Sequence, residues 1–332
     1  MQHHPQILGA VAKELSQSGI NALTVDNRGF GDSGGPRYEN ATPEVRQQLQ
    51  QKWPGDFDAA YQYLVSQPGV DKTRIALGGG SCGVNNAVQL AERHPDIKAL
   101  VLLAGSTDLD GVKFLLNHPA IPLFTAAAAD DQYISAAPQL MRWFTQLSGN
   151  PRNQFVDFPD GRHGTEIFGP HPKLIHRIVA FYVDTLLTSP ANPQAAAASS
   201  KTPVAGFWRL IAQPGGTREA IQFFHAERKR DPNQILFPES LLNLVAYQRL
   251  QAGDKDDAIL LFKLNVEAYP ASANAQDSLS DGYLAAGQKD LALAAEEKCL
   301  ELLPADTTNA DFKAQLKQAA DEKITQLKAG GK

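Results

Sequence analysis

Residues 74–87 read RIALGGGSCGVNNA, and the fold class turns on how this stretch is taken. Ile75, Ala76 and Leu77 make a short apolar run, three glycines follow, and Val84, Ala87, Val88 and Leu90 then recur at the spacing of one helical face. A buried strand that enters a glycine turn and leaves at once as a helix accounts for all three parts. Ser81 stands at the corner.

Within the corner, Gly79-Gly80-Ser81-Cys82-Gly83 satisfies G-x-S-x-G, the pattern of a nucleophile carried on a strained strand-to-helix turn. Residues two places either side of such a serine pass close to one another, so a Cβ at Gly79 or Gly83 would clash. Two blander readings compete. A phosphate-cradling loop needs a lysine at Walker spacing, and no G-x-x-x-x-G-K is present. A plain turn remains open on the five residues alone, and the strand before and helix after them favour the nucleophile.

Working upstream, Pro5–Gln17 carries Ile7, Leu8, Val11 and Leu15 at helical spacing, and Ile20–Asp26 (INALTVD) reads as a strand. The loop behind it, NRGFGDSGGP, holds two distractions. Gly29, Gly31 and Gly34 fit the dinucleotide pattern G-x-G-x-x-G, but PRYEN is not the helix that must follow to hold a pyrophosphate. Gly31-Asp32-Ser33-Gly34-Gly35 matches the serine motif of chymotrypsin-like proteases, whose His and Asp lie far upstream; here only His3 and His4 precede it. Both are set aside as a tight loop capping a sheet. Asp56–Ser66 is then expected as a helix with Phe57, Tyr61 and Leu64 inward.

Downstream, Lys98–Ala104 is a strand without polar interruption, Leu123–Ala128 a shorter one, and Gln154–Phe158 alternates as an edge strand does. Helices are expected near Pro138–Leu147 and Pro172–Leu187. Strand and helix alternate, so the first domain, residues 1–188, is α/β with a mostly parallel sheet. Ser189–Pro203 (SPANPQAAAASSKTP) has no apolar period and reads as a linker.

Residues 204–332 are almost wholly helical and repeat themselves. With a shift of 34, Leu250, Ala252, Gly253, Lys255, Asp256, Ala258 and Pro270 fall on Leu284, Ala286, Gly287, Lys289, Asp290, Ala292 and Pro304. An earlier, degenerate copy sets Gly215, Ala220, Phe224 and Pro232 in the same roles, and Asp311–Leu327 is expected as a capping helix. The period, the turn glycine and the closing proline resemble the tetratricopeptide repeat. That resemblance implies a binding surface for a peptide or protein partner; a packing or dimerisation module is the competing reading.

A serine hydroxyl becomes a nucleophile only when an imidazole takes its proton and a carboxylate orients the imidazole. The strand entered at Pro122 ends in Asp130-Asp131, and the strand through Phe155 leads into Gly161-Arg162-His163-Gly164. His163 is the expected base. Asp131 is preferred to Asp130 as the acid, because a strand entered at that proline reaches its far end a residue later. The order Ser81, Asp131, His163 is that of the α/β-hydrolases. His94, His118, His171 and His176 lie near helix ends and read as surface residues.

With DNRGFGDSGG, DFDAAYQYL, VDKTRIALGGGSCGV, Asp130-Asp131 and GRHG in view, residues 1–187 resemble an α/β-hydrolase of the dienelactone-hydrolase-like group. The resemblance implies a serine hydrolase acting on an ester-type acyl bond, with peptidase and thioesterase chemistry as neighbours. Dienelactone hydrolases use cysteine, so Cys82 is a rival nucleophile, but residue 84, where its second flanking glycine would stand, is Val84. Cys82 is instead expected to offer its backbone N–H to the oxyanion. The family also has three strands ahead of the opening helix, and the third, lying between the Ile20 and Arg74 strands, carries the second oxyanion donor. Either the gene start is misplaced or Ile20–Asp26 pairs directly with the Arg74 strand, and in both cases the present chain would have half an oxyanion hole. Gly105–Ala120 is short where relatives insert a lid, which implies an open pocket and small or flexible acyl substrates. A non-catalytic scaffold whose repeats bind a partner is the alternative.

Composition narrows the partners. A net charge of −5 in 332 residues, with no basic run interleaved with aromatics, argues against nucleic acid and anionic membranes. Cys82 and Cys299 fall in different domains, so neither a disulfide framework nor a zinc site is expected, and no cofactor is implied. No apolar run approaches the length of about 18 residues that spans a bilayer. The chain reads as soluble and cytoplasmic by default, or exported if a signal peptide lies upstream of Met1.

Overall fold

Strands β2 (Ala99–Leu103) and β3 (Leu123–Ala128) are buried at every residue, and they set the architecture of the first half of the chain. The computed structural model describes residues 5–94, 96–134, 136–188 and 201–329. It divides into two compact units, Met1–Thr107 with Phe114–Ser200, and Asp108–Lys113 with Lys201–Lys332.

The first unit holds a four-stranded parallel sheet in the order β1-β2-β3-β4, with β1 at Ala76–Gly80 and β4 at Gln154–Phe158. Register is regular: Ala76 stands beside Ala99, Leu100 beside Leu123 and Phe124 beside Gln154. Helices α1 (Pro5–Gln17) and α6 (Lys173–Val183) supply Leu15, Ile178 and Phe181 to one core with Val101, Leu103, Phe124 and Ala126. On the other side α3 (Cys82–Arg93) packs on β1 and α5 (Ala137–Ser148) on β3, where the Thr125 hydroxyl donates to the Met141 carbonyl. With both faces covered, continuous apolar strands are what the solvent allows. Burying Phe124 alone is worth about 2–3 kcal/mol. Between β2 and β3 the chain forms α4 (Leu109–Asn117).

Three expectations need correction. Ile20–Asp26, expected as a strand, forms none; among the described residues β1 is itself the edge of the sheet, only partly buried, so the direct pairing offered as one alternative does not occur. A strand persists only where a ladder partner takes its N–H and C=O groups, and none of the described residues offers one to this segment. The expected helix at Asp56–Ser66 is the second half of a longer one, α2 (Pro43–Ser66), capped by the Thr42 side chain and running through Pro54. Its buried residues are Leu49 and Trp53, while Phe57, Tyr61 and Leu64 are only half buried. Pro172–Leu187 is α-helical to Val183 and widens into a π-turn at Asp184–Thr188.

The glycine loop behind Ile20–Asp26 is tied to α2. Asp56 accepts from the Arg28 backbone and guanidinium, Trp53 donates to the Arg28 carbonyl, and Phe30, Tyr38 and Trp53 form one aromatic cluster. No α-helix begins at Pro36, only a single 3-10 turn at Tyr38–Asn40.

The second unit is built of helices α7 (Pro203–Ala212), α8 (Thr217–Arg230), α9 (Glu239–Gln251), α10 (Lys255–Ala268), α11 (Ala273–Ala285), α12 (Lys289–Leu302) and α13 (Ala310–Ala329). Of the expected linker Ser189–Pro203, residues 189–200 lie outside the described residues, and Thr202 and Pro203 start α7 as its cap and first turn. The repeated positions have a common cause. Gly215, Gly253 and Gly287 each turn the chain with a positive φ of 72°, 87° and 75°. Five residues on, Ala220, Ala258 and Ala292 are fully buried, because only a small side chain lets consecutive helices close on each other. The last helix, α13, packs Leu316 and Ala320 against Cys299 and Leu303.

Candidate active site

β1 ends at Gly80, and Ser81 follows with φ 58° and ψ −127°, a conformation that L side chains adopt only under constraint. The constraint is visible. The Ser81 N–H donates to the Leu103 carbonyl at 2.9 Å, as though continuing the β1–β2 ladder, while its carbonyl already accepts from the Val84 N–H at 3.0 Å to open α3. A Cβ on Gly79 would lie 1.9 Å from the Gly83 carbonyl oxygen, and one on Gly105 would lie 2.3 Å from that of Ser81. The turn therefore exists only with glycine at those places, and it holds the hydroxyl at the carboxyl end of the sheet; the clash expected at Gly83 does not arise, since a Cβ there would point into open space and, of the two elbow glycines, the steric demand falls on Gly79 alone.

Two further strand ends bring groups to that hydroxyl. His163, in the loop after β4, approaches Ser81 Oγ with Nε2 at 2.7 Å. Its other ring nitrogen, Nδ1, lies 2.8 Å from Oδ2 and 3.0 Å from Oδ1 of Asp131, in the loop after β3. With the proton on Nδ1 facing the carboxylate, Nε2 is left as the acceptor of the serine hydroxyl. The Asp131 side chain is 1% exposed and that of His163 6%. Asp131 also accepts the backbone N–H groups of Tyr133 and Ile134 at 2.8 and 2.9 Å, so its lone pairs are engaged and its direction is fixed.

The adjacent aspartates divide. Asp130 does not reach the imidazole; its carboxylate accepts the Arg162 backbone N–H at 2.8 Å. Cys82 begins α3 and leaves its backbone N–H without an intrahelical partner, as every first helical residue does. Desolvation pushes the Cys82 thiol above its ordinary value, so little thiolate forms, and the imidazole meets Ser81 instead. His94 bonds Asp58 and stacks on Tyr61, His171 bonds Asp160 and stacks on Phe158, and His176 meets Glu14. His118 folds back on the Phe114 carbonyl.

One residue escaped the sequence reading. The Tyr133 ring stands edge-on to His163 with centroids 4.9 Å apart, and the residue is 58% exposed. Its signal was an aromatic two places after the acid. Among the described residues no group of three His, Cys, Asp or Glu side chains could hold a metal ion, and no helix is long and apolar enough to cross a membrane.

Residues 1–120 match the family model of the serine aminopeptidases, S33. That span contains the elbow, Ser81 and strands β1 and β2, and it stops short of Asp131 and His163. The match, the parallel sheet and the strained serine together support a serine hydrolase of the α/β-hydrolase type, followed by a helical region.

Proposed function

We propose that this chain is a serine hydrolase that cleaves an ester-type acyl bond, with Ser81 as nucleophile, His163 as base and Asp131 as the carboxylate that orients it. The observation that carries the reading is the unbroken chain from Ser81 Oγ through His163 to Asp131, with both contacts at hydrogen-bond length. Ser81 Oγ attacks the substrate carbonyl carbon as its proton passes to His163 Nε2; the carbonyl π pair moves onto oxygen, where the Cys82 N–H donates. Collapse expels the leaving group, which takes the proton from Nε2. Water then repeats the sequence on the acyl-serine and frees the acid. Cys82 supplies one oxyanion donor through its backbone N–H.

The name of the matched family brings aminopeptidase chemistry into range, since the same attack opens amides. The likeness of residues 1–187 to dienelactone hydrolases favours the ester. Hydrolysis of p-nitrophenyl acetate and of an aminoacyl p-nitroanilide by the full chain, beside fluorophosphonate labelling, separates them. Ser81→Ala should abolish labelling and lower turnover at least 10³-fold; unchanged hydrolysis would end the reading.

A second role rests on the helical unit. Its repeated turn glycines and buried alanines are compatible with a tetratricopeptide-like stack, and stacks of that kind present a surface to a peptide or protein partner. The scaffold alternative predicts partner binding that survives Ser81→Ala.

A further inference from the structure

We infer that Asp130 is a positioning residue for this same site: its carboxylate holds the backbone of the His163 loop in the left-handed turn that presents the imidazole to Ser81. The inference rests on the reading of Ser81 and His163 given above.

Three of the four residues from 161 to 164 have positive φ: Gly161 at 141°, Arg162 at 58° and Gly164 at 59°. Glycine adopts such angles at little cost, but Arg162 does not, and it is the residue immediately before His163. Something must hold it. Among the described residues the Arg162 side chain reaches only the half-exposed carboxylate of Glu166, at 3.3 Å, a contact that solvent weakens. Its backbone N–H donates to Asp130 Oδ1 at 2.8 Å, a short bond that, unlike the side-chain contact, ties down the backbone whose φ is positive.

Asp130 is tied in turn to the sheet, because the Ala129 N–H just before it donates to the Phe158 carbonyl at 2.8 Å and extends the β3–β4 pairing by one step. On the far side of His163 the loop passes beside the serine: a Cβ at Gly164 would meet Ser81 Cβ at an ordinary contact distance of 3.6 Å. Asp131 fixes the plane of the ring and Asp130 fixes the backbone that bears it. A loop released by a fraction of an ångström would lengthen the 2.7 Å contact between Nε2 and Oγ, and misplacements near 1 Å cost on the order of 100-fold in rate. Asp130 is exposed, so the bond serves the loop rather than the core.

The test compares Asp130→Ala, Asp130→Asn and Ser81→Ala in the full chain. Asp130→Ala should lower kcat for p-nitrophenyl acetate and the rate of fluorophosphonate labelling about 10- to 100-fold, with KM within about twofold. Asp130→Asn keeps the oxygen acceptor and should recover most of that loss. Amide hydrogen exchange at Arg162 should accelerate in the alanine variant and stay slow in the asparagine one. Equal kcat in the wild type and Asp130→Ala, with Ser81→Ala inactive, would overturn the inference and leave the hydrolase standing. So would a loss that asparagine fails to restore. Activity retained by Ser81→Ala would remove the hydrolase reading, and the inference with it.

Discussion

Asp131 in the first unit and Glu296 in the second both lie out of water, with side chains 1% and 0% exposed, yet they are provided for differently. Asp131 has one imidazole and two backbone N–H groups to itself. Glu296, on α12, shares the single ammonium of Lys323 on α13 with Asp277 and Asp281 of α11, at 3.1, 2.8 and 2.6 Å. Tyr247 on α9 adds one hydroxyl bond to Asp281. Three carboxylates and one cation leave surplus negative charge in a poorly solvated place. Burial therefore raises Asp277 and pushes Glu296 up to about 7. A carboxylate with matched donors can direct a neighbour; one with too few stores a proton instead.

The sharpest way to break this comparison is to take the charge from Asp131 and keep its shape. Asp131→Asn should lower kcat on the order of 10³- to 10⁴-fold, because the amide no longer holds the required tautomer of His163, while the fold is retained. The same exchange at Asp130 keeps its acceptor and should change little. A variant of Asp131 that keeps full turnover would reduce the pair with His163 to a structural contact. In the helical unit the corresponding lesion is Lys323→Met, which leaves three carboxylates without their cation. Loss of one partner from a buried pair costs about 3–5 kcal/mol, and the lower figure applies because the Lys323 side chain is 21% exposed. Thermal unfolding at pH 8 should show the loss, and at pH 5 less of it, since Glu296 then holds its proton.

How much of this could be read beforehand follows from the kind of constraint. The elbow was legible because a clash 1.9 Å from Gly79 leaves no other residue type, and steric demands of that kind write themselves into sequence. The repeat was legible for related reasons, the positive φ of 87° at Gly253 and the complete burial of Ala258 between helices. Ile20–Asp26 was not, since its apolar alternation describes a strand's own faces and says nothing about whether a neighbour is there to pair with it. The front half of α2 was hidden by polar residues and by Pro54-Gly55, although Thr42-Pro43 carries the ordinary signal of a helix start. Asp130 and Asp131 are one residue apart, and only the direction in which each leaves β3 separates an anchor of backbone from a partner of imidazole. The Lys323 network was hidden most completely. Asp277 and Asp281 sit four residues apart like any solvated helix face, and their cation comes from a helix beyond the next one.

The smallest effect tests the stored proton itself. Because the folded value of Glu296 lies above that of a free glutamate, the folded state binds more protons than the unfolded one between roughly pH 4.5 and 7. The stability this group contributes is therefore complete below that window and is lost as pH rises through about 7. Glu296→Gln resembles the protonated form and cannot lose it. At pH 8 the variant should be more stable than the wild type by about 1–3 kcal/mol, and at pH 4.5 the two should coincide. The reading is taken on the unfolding transition that Lys323→Met displaces, in the full chain. Some slope should persist in the variant, since Asp277 is raised by the same burial and still faces Lys323. If Glu296→Gln is instead less stable at pH 8, its ion pair with Lys323 outweighs the surplus charge, and the contrast with Asp131 disappears: both carboxylates would then be matched to their partners.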